Sequence, residues 1–65
     1  MIYTYYKDTL QKEQPKVITF NTFEFIMSEL AEQGQKVWEH VCSNKNIVIT
    51  WNNLKGYSSI VISKE

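Results

Sequence analysis

Glu39, His40 and Cys42 come closest to a reaction centre, because a histidine that takes a thiol proton and is oriented by a carboxylate generates a nucleophilic thiolate. Their spacing argues against it. On one helix, residues two apart diverge by about 200°, so His40 faces away from Cys42, and the sequence holds no second histidine to act as base. Cys42 then reads as a small packed hydrophobe at the edge of an apolar helix side, and His40 as a surface histidine. One cysteine and one histidine are too few for a closed zinc site, and Glu24, Glu29, Glu32 and Glu39 are strung along a helix instead of gathered in an oxygen-rich loop. Gly34 and Gly56 are the only glycines, so no phosphate-cradling loop can be written. The expectation is a protein without catalytic residues, metal, cofactor or small-molecule substrate, and not an enzyme.

The bulk composition points the same way. A chain of 65 residues allows one domain, spanning 1–65, and too little wall to enclose a ligand pocket of roughly 300 Å³ or more. Its 43% hydrophobic and 14% aromatic content is that of a chain that folds. Seven basic residues balance seven acids, and every base is lysine. Arginine supplies the planar fork that reads guanine and grips phosphate, so its absence at zero net charge disfavours strong nucleic-acid binding. A genome rich in A and T would produce the same lysine bias without functional meaning. A lone cysteine cannot form an internal disulfide, which favours a reducing compartment. Met1 to Lys7 lacks the apolar run of a leader, and no stretch approaches the roughly 20 apolar residues of a membrane span, so the expected location is the cytoplasm, with no membrane partner. Brevity and an AT-rich bias are compatible with a phage or other mobile-element gene.

The elements follow from periodicity. Met1 to Lys7 alternates as a strand, with Ile2, Thr4 and Tyr6 on one face and Tyr3, Tyr5 and Lys7 on the other. Asp8 to Gln14 reads as a polar loop stopped by Pro15, and Lys16 to Phe20 as a second strand. Asn21 as N-cap, Glu24 three residues on, and the Phe20 and Phe25 pair of a hydrophobic staple open a helix. At about 100° per residue, Phe23, Ile26, Met27, Leu30, Val37, Trp38 and Val41 share one side of a helix that runs on past Gly34. Two readings of Gly34 compete: a helix break or kink, or a notch where a continuous helix approaches the sheet closely. The unbroken register favours the continuous helix. Ser43 to Asn46 is a turn, and Ile47 to Trp51 and Tyr57 to Ser63 form a hairpin around Asn52 to Gly56. The predicted fold is α+β, in the order β-β-α-β-β, with one amphipathic helix packed on a four-stranded, largely antiparallel sheet.

Two surfaces remain to be assigned. Glu24, Glu32 and Glu39 fall on the outer side of the long helix as an acidic stripe, which is either a solvated face helped by the Glu32 and Lys36 pair or a contact for a basic partner. The strands carry Tyr3, Tyr5, Tyr6, Trp51 and Tyr57, and a single helix covers one sheet face only, so rings must lie on the other. Tyrosine and tryptophan dominate protein contact surfaces because they bring large, stiff area with a polar end. The interface candidates are therefore Tyr3, Tyr5, Trp51 and Tyr57, and the alternative is that these rings pave a small core. If they are interface, replacing Tyr3 and Tyr5 by serine leaves the fold near intact.

The stretch from Val17 to Ser63, a strand ending in IT, a helix, IVITW, a turn and YSSIVIS, resembles the N-terminal DNA-binding half of antitoxins of the Phd/YefM family. It departs from them in its longer helical region and its lack of arginine. The resemblance implies a dimeric autorepressor with Lys12, Lys16, Lys45 and Lys55 as phosphate contacts, and binding that collapses with added salt. The reading the residues favour is a non-enzymatic protein-binding regulator or inhibitor, acting through an exposed aromatic sheet face or an edge strand on a foreign protein or on a second copy of itself; the antitoxin-like nucleic-acid binder is the alternative.

Overall fold

The structure, a computed structural model, describes residues 1–7, 14–54 and 56–64. The elements run β1 (Ile2–Tyr6), β2 (Lys16–Ile18), α1 (Phe20–Glu32), β3 (Val37–Val41), β4 (Ile47–Asn53) and β5 (Gly56–Ser63). One antiparallel sheet contains all five strands in the order β2-β1-β5-β4-β3, and α1 packs on one of its faces. The α+β class agrees with the sequence reading. The sheet has five strands in place of four, because the second half of the expected helix is a strand. The loop expected over Asp8 to Gln14 lies, except for Gln14, outside the described residues.

The helix starts two residues earlier than expected. β2 ends at Ile18, Thr19 is extended at φ −79° and ψ 163°, and its Oγ1 accepts the Thr22 backbone N–H at 3.2 Å, so Thr19 takes the capping role expected of Asn21. The end is set by Gly34. With Gln33 as C-cap, the Gly34 N–H donates to the Ala31 carbonyl at 3.1 Å and the Gln35 N–H to the Leu30 carbonyl at 2.9 Å, the two bonds of a Schellman cap. Gly34 itself adopts φ +68°, which a residue with a Cβ reaches only at a cost. A Cβ placed there would meet nothing within 4 Å, so the glycine serves the backbone and marks no close approach to the sheet. Replacing Gly34 by alanine should therefore cost about 1 kcal/mol and lower the thermal midpoint by about 4–8 °C, measurable by calorimetry.

Beyond the cap, Val37 to Val41 pairs with β4 from Val37↔Trp51 to Val41↔Ile47. Val37, Trp38 and Val41 are thus strand residues, and the continuous-helix reading is corrected. The same correction removes Glu39 from the acidic stripe on α1. It also moves Cys42, which is an exposed free thiol at the β3–β4 turn and not a packed hydrophobe. In that turn the Lys45 N–H donates to the Cys42 carbonyl, the Cys42 N–H to the Asn46 carbonyl, and Lys45 takes φ +66°. These are the features of a three-residue hairpin loop.

The core lies between α1 and the sheet. Ile60 is fully buried, Leu30, Ile49 and Trp51 are nearly so, and Tyr3, Tyr5, Ile18, Phe23, Ile26, Met27, Ile47 and Ile62 pack around them. Register explains the set: Tyr3 stands beside Ile62 and Tyr5 beside Ile60, while Ile47 and Ile49 flank the same two isoleucines from β4. The Tyr3 ring stacks on Phe23 with centroids 4.9 Å apart, and Tyr5 lies parallel to Trp51 at 6.2 Å. Ser58, buried on this side, donates to the Lys7 carbonyl and accepts from the Asn53 amide, which tethers the end of β1 to the β4–β5 hairpin.

Candidate interaction surface

Alternation along each strand sorts the side chains into two faces. The face under α1 holds Tyr3, Tyr5 and Trp51, and Trp51 is only 5% exposed. Three of the four expected interface residues therefore sit in or against the core, and the expectation that they face away from the helix is corrected. Tyr57 alone of the four is on the opposite face, 50% exposed.

No helix or strand among the described residues covers that opposite face. Trp38 and His40 of β3 stand beside Thr50 and Val48 of β4, these beside Ser59 and Val61 of β5, and these in turn beside Tyr6 and Thr4 of β1. Val17 extends the row from β2. The face is not polar. Trp38 remains 40% exposed, with the Lys36 ammonium 5.7 Å from its ring centroid. Ser59 is nearly buried although no described element lies over it, so its neighbours on this face close over it.

The helix also stops short of β3. Val37 and Val41 point to the helix side, yet Val41 is 68% exposed and every residue of β3 is exposed. β3 is therefore an edge strand with apolar side chains open on both faces, whereas sequence reasoning puts those side chains inside a helix. The signal that could have found it is the alternation of Val37, Glu39 and Val41 with Trp38 and His40, together with a glycine directly after the helical run. The opposite edge is treated differently. β2 has three residues, begins with Lys16 and follows Pro15, which has no N–H to offer, and these are the devices that keep an edge from pairing.

Hydrogen bonding shows what the free β3 edge presents. The Cys42 N–H reaches the Asn46 carbonyl at 2.8 Å, so the even-numbered residues of β3 bond toward β4. Pairs alternate in an antiparallel ladder, so Val37, Glu39 and Val41 turn their N–H and C=O groups outward.

The chemistry of the remaining candidates is sparse. His40 and Cys42 lie along an extended stretch, so they share a face instead of diverging as they would on a helix, but no hydrogen bond joins the imidazole to the thiol. An open cleft of about 410 Å³ beside the helix C-terminus is lined by Leu30 and Trp51 and by the amides of Gln33, Gln35, Asn52 and Asn53. No acid, base or nucleophile is among the described residues that line it. Among the described residues no three His, Cys, Asp or Glu side chains gather as metal ligands, and no helix is long and apolar enough to cross a membrane. Of the lysines implied as phosphate contacts, Lys16 and Lys45 are exposed, one on β2 and one in the β3–β4 turn, and Lys12 and Lys55 lie outside the described residues. Comparison of the chain with protein-family models, with curated proteins and with solved structures finds no match in any of the three.

Proposed function

We propose that this chain is a non-enzymatic protein-binding regulator or inhibitor that meets its partner through the uncovered sheet face and the β3 edge. The observation that carries the reading is β3 itself: two valines and a tryptophan left exposed beside a backbone edge that no described strand pairs with, on a sheet whose other edge is blunted. Exposed aromatic and aliphatic groups of this kind are what a protein partner desolvates. A reducing, cytoplasmic setting suits the exposed Cys42 thiol.

The test is a double substitution, Trp38→Ser with Tyr57→Ser. Both side chains are about half-exposed, so the pair costs less than a core substitution, and circular dichroism confirms that the variant is folded. The partner captured by the wild-type chain from its host should be lost from the variant. A folded variant that captures the same partner overturns the reading. The second reading, a single-stranded nucleic-acid binder, is favoured by the Lys36 ammonium over the Trp38 ring, since stacking platforms pair aromatics with cations. It requires captured nucleic acid and an affinity that falls steeply with added salt.

A further inference from the structure

We infer that the occupant of the β3 edge is a second copy of this chain, paired antiparallel across a two-fold axis at Glu39 to make a continuous ten-stranded sheet. The inference rests on the protein-binding reading above and names the partner. Three observations carry it. The outward-facing residues are Val37, Glu39 and Val41, so a two-fold axis at Glu39 lets all three exchange backbone hydrogen bonds with the other copy. Axes at Trp38 or His40 would use only two of the three. The register also places groups of similar kind together: Val37 meets Val41 on the helix side, and the Trp38 ring meets the His40 ring on the uncovered face. The chain carries no net charge, so two copies approach without long-range repulsion.

The axis brings Glu39 against Glu39 of the second copy, the one unfavourable pair in the register. This keeps the association reversible and supplies its test. The intact chain, one form isotopically labelled, is mixed with Glu39→Lys and the dimers are counted by native mass spectrometry. Opposite charges across the axis should raise the heterodimer-to-homodimer ratio about five-fold above the statistical one. A statistical ratio overturns the inference. A second variant does not depend on charge: Glu39→Cys in a Cys42→Ser background should oxidise to a covalent dimer, because facing residues of a hydrogen-bonded pair have Cα atoms about 5.5 Å apart, within disulfide range. Circular dichroism confirms that each variant is folded. A chain that stays monomeric at every concentration, yet still needs Trp38 and Tyr57 to bind another host protein, overturns the self-pairing and leaves the binding reading standing. A monomer that binds no protein overturns both.

Discussion

Replacing Trp51 by alanine should leave the chain unfolded at 37 °C. Trp51 is almost completely buried on β4, lies parallel to Tyr5, and belongs to the cluster that includes Leu30 and Ile60. Truncating a buried tryptophan costs about 3–5 kcal/mol. A domain below about 70 residues rarely has more than about 3–5 kcal/mol in total, so the loss matches the whole of its stability. Urea unfolding followed by circular dichroism measures it. A variant with an unchanged midpoint would mean that Trp51 is not a core residue.

The pair Tyr3→Ser and Tyr5→Ser should have a comparable effect, about 4 kcal/mol together. Tyr3 stacks on Phe23 and lies 5.8 Å from Phe20, so it anchors the first turn of α1, and Tyr5 supports Trp51. This outcome reverses the one expected from sequence, in which the two rings can be removed without loss of fold. The near-UV signal and the far-UV signal should vanish together. A folded double variant would put the rings back on a solvent-facing surface.

The division of β1 and β5 into faces is legible in the sequence, because period-2 spacing alone separates Tyr3 and Tyr5 from Thr4 and Tyr6, and Ile60 and Ile62 from Ser59 and Val61. Which face the helix covers is harder to read, since both faces of β1 carry tyrosine. The deciding contrast lies on β4, where Ile47, Ile49 and Trp51 alternate with Val48, Thr50 and Asn52, and the more apolar set goes under the helix. Only cross-strand register then assigns Tyr3 and Tyr5 to that set, and register is set by turns and partner strands that lie far apart in the chain. The helix N-terminus is legible to within two residues. Its C-terminus is not, because the five residues from Val37 satisfy a helical side and a strand equally well, and the positive φ of Gly34 decides between them. That single ambiguity hides the candidate surface, since it makes helix core of Trp38, Val37 and Val41 and leaves Tyr3, Tyr5 and Trp51 to stand for the interface.

The most direct measurement is amide hydrogen exchange along β3, resolved by residue and repeated over a wide range of protein concentration. In dilute solution the amides of Val37, Glu39 and Val41 should exchange fast and those of Trp38 and His40 slowly, because only the latter bond to β4. In concentrated solution the three fast amides should become protected together. Fast exchange at those three positions at every concentration, and also with a captured partner bound, would show that nothing pairs with this edge.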